Sequence, residues 1–141
     1  MTYEEWVALP DGQWTKHNQL GFERLGFELE VAIERDGNKR HRADVASEDF
    51  EYVIELKASR KDMYSKYGKN FVGMYNYLFT RPELTDLAIK VLESDGFDYV
   101  GVMTLGSDYE FHFPKRAKVH RNGIGYPRSL EDQWSKERRK R

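Results

Sequence analysis

Residues 27–58 read FELEVAIERDGNKRHRADVASEDFEYVIELKA, three strands in succession. From Phe27 to Glu34, the apolar Phe27, Leu29, Val31 and Ile33 alternate with Glu28, Glu30, Ala32 and Glu34. A period of two over eight residues predicts a strand with one buried face. Arg35-Asp36-Gly37-Asn38 supplies the turn, since Asp-Gly tolerates the positive φ angles of a tight hairpin. A second strand is expected over Arg40 to Ala46, a further turn over Ser47-Glu48-Asp49, and a third strand over Tyr52 to Ala58. Strands joined by such short turns form an antiparallel meander.

Upstream, Thr15 to Leu25 places Leu20, Phe22 and Leu25 at helical spacing before Gly26, which predicts a short helix with a glycine C-cap; Gly21 inside it weakens the pattern. Downstream, a helix is expected from Arg60 to Phe71, capped near Ser59, and a buried fourth strand from Met74 to Thr80. Pro82 stands at the start of a helix over Glu83 to Ser94, whose Leu84, Leu87, Ala88, Val91 and Leu92 share one face; Gly96 closes it. Tyr99 to Thr104 and Tyr109 to Phe113 complete the strands. The order α-β-β-β-α-β-α-β is that of an α/β protein, a mixed central sheet flanked by helices. Phe71, Tyr75, Tyr77 and Phe79 are expected in the core, whereas Trp6, Trp14 and Trp134 lie outside the predicted core elements and are expected to pin the termini onto the body.

A chain of 141 residues suits one domain that folds without staples. It has no cysteine, so disulfides, thiolate metal sites and a cysteine nucleophile are excluded. No apolar run approaches the roughly 18 residues of a membrane span. The first residues, MTYEEWVALPDG, lack a basic and apolar leader, so a cytoplasmic protein with no membrane association is expected. The net charge of −1 conceals an asymmetry. Residues 115–141 hold ten basic and three acidic residues, a balance of +7, so residues 1–114 carry −8. A basic tail on an acidic body suits an anionic partner.

Asp44 falls on the second predicted strand, and Glu55 and Lys57 on the third. Side chains two apart on a strand share a face, so Glu55 and Lys57 project together, and the hairpin brings Asp44 alongside if the register allows. Two nearby carboxylates repel unless a hard cation joins them, and Mg²⁺ is held through one or two carboxylates plus water and phosphate oxygens. A lysine beside such a site can orient an attacking water and offset charge on phosphorus. Together these groups are the equipment for hydrolysing a phosphodiester. A Glu-x-Lys pair on a strand is commonly only a solvated face or an ion pair. Here, however, it is embedded in Tyr52-Val53-Ile54, and Asp44 sits between Ala43 and Val45, where charge is costly unless used or paired.

Arg42-Ala43-Asp44-Val45 followed by Val53-Ile54-Glu55-Leu56-Lys57-Ala58-Ser59-Arg60-Lys61-Asp62 resembles the PD-(D/E)xK nuclease superfamily. Within it the chain is most similar to the MmcB-like DNA-repair nucleases and to small phage or Holliday-junction-type endonucleases, over about residues 15–115. The resemblance implies a restriction-endonuclease-like fold in residues 1–114 and Mg²⁺- or Mn²⁺-dependent cleavage of DNA in repair, recombination or phage DNA processing. It assigns Asp44 and Glu55 as metal ligands and Lys57 as the catalytic lysine. Ala43 stands where the family's namesake proline would be. For the further acidic residue often supplied by the first helix or strand, Glu30 fits best and Glu23 is the substitute. DNA is the implied partner. A homodimer is also compatible, because cutting two strands needs two sites.

Arg60, Lys61, Lys66 and Lys69, interleaved with Tyr64 and Tyr67, follow Lys57 and would hold phosphates independently of base sequence. Arg42, within Lys39-Arg40-His41-Arg42, adds a second basic cluster beside Asp44, and the terminal run Lys136 to Arg141 would add salt-sensitive affinity. His17, His41, His112 and His120 lack zinc-like spacing. The principal alternative is a catalytically inactive nuclease-like module that binds DNA or protein; an RNA-processing enzyme built on the same residues is a third reading.

Overall fold

The computed structural model describes residues 1–35, 38–65 and 70–120. Two helices come first, α1 (Tyr3–Val7) and α2 (Asp11–Arg24), and then β1 (Glu28–Arg35), β2 (Asn38–Ala46) and β3 (Tyr52–Lys57). After these come α3 (Arg60–Met63), β4 (Tyr75–Thr80), a 3-10 turn over Pro82–Leu84, α4 (Thr85–Ser94), β5 (Gly101–Leu105) and β6 (Phe111–Lys115). The six strands form one sheet in sequence order, β1 to β6. The first three are the expected antiparallel meander. β3, β4 and β5 then run parallel, which requires the crossovers that α3 and α4 occupy, and β6 returns antiparallel. The chain is thus α/β with a mixed sheet. Among the described residues, no helix is long and apolar enough to cross a membrane.

Alternation along β4 separates two cores. Tyr77 and Phe79 join Trp6, Trp14, Phe22, Tyr52, Ile54 and Leu56 beneath α1 and α2. Leu78 joins Met63, Phe71, Ala88, Leu92 and Val102 beneath α3 and α4. All six residues of β3 are buried, so this strand lies at the centre, between two helical layers. Each large apolar side chain removed from water there contributes about 1.5–3 kcal/mol.

Trp6 and Trp14 belong to the first core, at 3% and 0% exposure, which corrects the expectation that they lie outside it. Trp14 stacks on Phe79 with centroids 5.6 Å apart. The physical reason is that α2 begins at Asp11, a full turn before Thr15, and buries Trp14, Asn18 and Phe22 four residues apart. The polar Asn18 hides this stripe in the sequence. Its Oδ1 accepts Trp6 Nε1–H at 3.0 Å, and its Nδ2 donates to the Trp14 carbonyl at 2.7 Å. Leu20, expected on the packed face, is 41% exposed.

Three further expectations change. The helix after Ser59 has the expected cap, with Ser59 Oγ accepting the Asp62 N–H at 3.2 Å, but α3 lasts a single turn. By residue 70 the chain is irregular, and Asn70 Nδ2 donates to the Arg42 carbonyl at 3.0 Å. The basic run begins inside the sheet: Lys115 ends β6, the Lys118 N–H donates to the Tyr99 carbonyl, and the His120 N–H to that of Met74. Lastly, β1 does not keep one apolar face. Phe27 and Leu29 pack in the first core, whereas Val31 and Ile33 pack with Ala43, Ala46 and Val53. The switch occurs at Glu30, whose φ of 52° lies in the left-handed region and re-aims the strand. The Asp36-Gly37 turn, Trp134 and the run 121–141 lie outside the described residues.

Candidate active site

Glu55 and Lys57 occupy alternate positions of β3, on the face opposite to Tyr52, Ile54 and Leu56. Val53, on the same face as Glu55, packs with Ile33, Ala43 and Ala46. Parallel pairing sets Glu55 beside Leu78 and Lys57 beside Thr80, toward the α3 and α4 layer. Glu55 is fully buried and Lys57 is 7% exposed. The sequence-level expectation that this acid and this lysine share a face is therefore met.

Asp44 reaches the same place by a different device. The β2–β3 ladder pairs Ala46 with Val53 and Val45 with Ile54. At Asp44 the side chain enters between the strands, and Oδ2 accepts the Leu56 N–H at 2.8 Å. The two carboxyls are then close enough to act on each other's ionisation. Burial pushes the Glu55 pKa well above the ordinary carboxylate range, and the Asp44 charge adds to that; Lys57 opposes it. Burial likewise raises the Asp44 pKa. The Leu56 N–H, the Glu55 carboxyl and Lys57 act downward on it, and the charge of Glu30 acts upward. Both Glu55 oxygens are buried with no hydrogen-bond partner among the described residues.

Two adjoining carboxyls held above their normal pKa, one with both oxygens unsatisfied, are costly in a core unless something binds them. An all-oxygen donor set of this size suits a hard divalent cation that keeps several waters, and it suits zinc or a soft metal poorly. Among the described residues, no three His, Cys, Asp or Glu side chains converge as a ready-made metal cluster. Asp44 and Glu55 are thus the two protein groups able to hold such an ion, with Lys57 beside them.

The register that pairs Leu29 with Val45 and Val31 with Ala43 sets Glu30 directly across from Asp44. Its exposed carboxylate accepts Gln19 Nε2 of α2 at 2.8 Å, and the same nitrogen lies 3.4 Å from the Asp44 carbonyl oxygen. Glu23, the substitute, is exposed on α2. Gln19 went unnoticed in the sequence because a polar residue on an amphipathic helix looks like ordinary surface. Only the contact between α2 and the two strands singles it out.

Of the basic residues, Arg42 is exposed two positions before Asp44, and Arg60 and Lys61 are exposed in the turn that follows Lys57. Lys66 and Lys69 lie outside the described residues. Comparison with protein-family models, with curated proteins and with solved structures found no match.

Proposed function

We propose that this chain is a divalent-metal-dependent nuclease that hydrolyses DNA phosphodiester bonds, as its resemblance to the PD-(D/E)xK superfamily implies. One observation carries the reading: the buried Glu55 carboxyl, with both oxygens unsatisfied, adjoins Asp44 and shares a face with Lys57. In this reading Asp44 and Glu55 hold Mg²⁺ or Mn²⁺, with Glu30 nearby. When bound, the ion supplies neutralising charge at the phosphate and lowers the pKa of water. Lys57 orients the attacking water and offsets charge that develops on the phosphoryl oxygens. Arg42, Arg60 and Lys61 present exposed cations on either side, where phosphate contacts independent of base sequence are useful.

A specific observation favours a second reading, a non-catalytic nuclease-like module: the lack of a three-carboxylate cluster among the described residues. One experiment separates the two. Plasmid, single-stranded and branched DNA, with a parallel RNA set, are incubated with the protein in Mn²⁺ and in chelator. Metal-dependent cleavage that Glu55→Ala and Lys57→Ala abolish, with DNA binding largely retained, is the expected result. Undiminished cleavage by both folded variants sinks the site assignment. Salt-sensitive binding without any cleavage favours the module.

A further inference from the structure

The turn that follows Lys57 ends on an aromatic side chain that faces solvent. Tyr64 caps α3 and is 61% exposed. We propose that Tyr64 and the adjoining face of α4 form a binding site for one unpaired base, which makes single-stranded DNA the form of substrate this chain takes. The inference rests on the reading of the chain as a nuclease that acts on DNA.

A lone exposed tyrosine signifies little, because much of any protein surface is apolar. This one forms a wall of a cavity of about 270 Å³, whose other lining residues are Leu87, Lys90, Val91, Ser94 and Asp95. Those five occupy positions i, i+3, i+4, i+7 and i+8 of α4 and its C-cap, so they make one stripe. Leu87 and Val91 belong to the second core and give the cavity an apolar floor, while Lys90, Ser94 and Asp95 are exposed around it. The turn that carries Tyr64 is anchored from below, since Met63 is fully buried in the same core as Ala88 and Leu92.

The chemistry of the lining selects the occupant. At about 270 Å³ the cavity falls just below the roughly 300–1,000 Å³ of sites for drug-sized ligands, which suits a single planar group. An aromatic ring stacks on the π face of any base, and the polar groups around the cavity suit the edge of a base better than an aliphatic chain. Arg60 and Lys61, both exposed, lie between Lys57 and Tyr64 in the chain, and Lys90 lines the cavity itself. A DNA strand that passes from Lys57 over α3 to the groove therefore meets a cation at each step. Bases inside a duplex are stacked on one another and must be extruded to offer a free face, whereas a single strand presents its bases directly.

Fluorescence anisotropy in chelator reads DNA binding by the whole chain without cleavage. Three labelled probes are used: a short single strand, the duplex of the same sequence, and a sugar-phosphate strand of that length with no bases. Thermal melts first establish that Tyr64→Ala and Tyr64→Phe are folded, as expected at an exposed position. Tyr64→Ala is expected to bind the single strand about tenfold more weakly than the unaltered chain, within the range for loss of one base–aromatic stack. Tyr64→Phe keeps the ring and should stay within about twofold. On the duplex and the base-free strand, Tyr64→Ala should match the unaltered chain within about twofold. A folded Tyr64→Ala protein that binds the single strand as well as the unaltered chain overturns the inference. Equal losses on all three probes also overturn it, because they mark a contact to the backbone and not to a base, and so does an unaltered chain that binds none of the probes. Cleavage in Mn²⁺, read separately, keeps the two readings apart. Cleavage with strand binding independent of Tyr64 removes the inference and leaves the nuclease reading standing, whereas Tyr64-dependent strand binding without cleavage supports the groove and removes the nuclease reading.

Discussion

The Asp44 carboxylate accepts the Leu56 N–H at 2.8 Å, just beyond the last backbone pair of the β2–β3 ladder, Val45 with Ile54. A side-chain oxygen thus satisfies a buried strand amide at the point where the two strands part. Asp44 therefore has a structural duty as well as the proposed chemical one, and two substitutions separate them. Asp44→Asn keeps an acceptor for Leu56 and removes the charge that helps to raise the Glu55 pKa. Asp44→Ala leaves the amide unsatisfied, which costs about 1–3 kcal/mol. Urea denaturation at pH 7.5 should place Asp44→Ala below Asp44→Asn by that amount, and equal stabilities would contradict the bond. On the proposed function, both variants lose cleavage.

Glu55 makes the folded state sensitive to pH. Its pKa is raised in the folded protein above the ordinary value of 4.5, so the folded state binds more protons than the unfolded one above that pH. The stability this group contributes is complete below its unfolded pKa and is lost as pH rises through the raised folded value. Glu55→Gln stays neutral at every pH. In chelator, the variant should melt above the unaltered protein at pH 8, and the difference should shrink toward pH 4.5. A gain of about 1 kcal/mol corresponds to roughly 3–5 °C in Tm for a chain of this size. A variant that melts lower at pH 8 and shows the same pH profile would argue against a strained, ionised Glu55.

A cation at the paired carboxyls should reverse that penalty. A ligand at about 100 times its Kd stabilises by roughly 2.7 kcal/mol. Millimolar Mn²⁺ is expected to raise the Tm of the unaltered protein, EDTA to restore it, and both Asp44→Asn and Glu55→Gln to abolish the response. An equal response in all three proteins would locate the ion elsewhere.

Arg81 fastens the N-terminal helices to the sheet. It is 6% exposed and donates to the carbonyls of Ala58 at 2.8 Å and of Val7 and Leu9 at 2.6 Å, with its guanidinium over Trp14 at 5.2 Å. Its ion pair with the exposed Asp11 adds little, since water screens it. Loss of the carbonyl contacts should cost about 3 kcal/mol in Arg81→Ala. Arg81→Lys should recover only part, because an ammonium cannot reproduce the planar fork. Chemical denaturation checks the order, and Asp11→Ala should stay within about 1 kcal/mol of the unaltered protein.

Much of the fold was legible where the cause is local. The alternation in residues 27–58 announced the meander, although β1 keeps its expected face only as far as Leu29. Ser59 announced a helix start, and the order of patterns announced a mixed sheet. Glu55 and Lys57 were placed on one face by the pleat alone. The misses share another cause. Trp14 was misplaced because its partners, Phe79 and Arg81, lie more than 60 residues away, and because Asn18 masks the stripe. The pattern after Ser59 likewise did not show that α3 stops at Met63, nor that Asn70 donates to the distant Arg42 carbonyl.

The sequence by itself determined which side chains are available for chemistry, two acids and a lysine spaced on adjoining strands, because strand periodicity is a property of the local backbone. Tertiary structure alone decided that Glu55 is buried with both oxygens unsatisfied, that Asp44 bonds across the gap between strands, and that Gln19 reaches Glu30. Burial, desolvation and hydrogen-bond partnership depend on what the rest of the chain packs around a residue, and no local pattern carries that information.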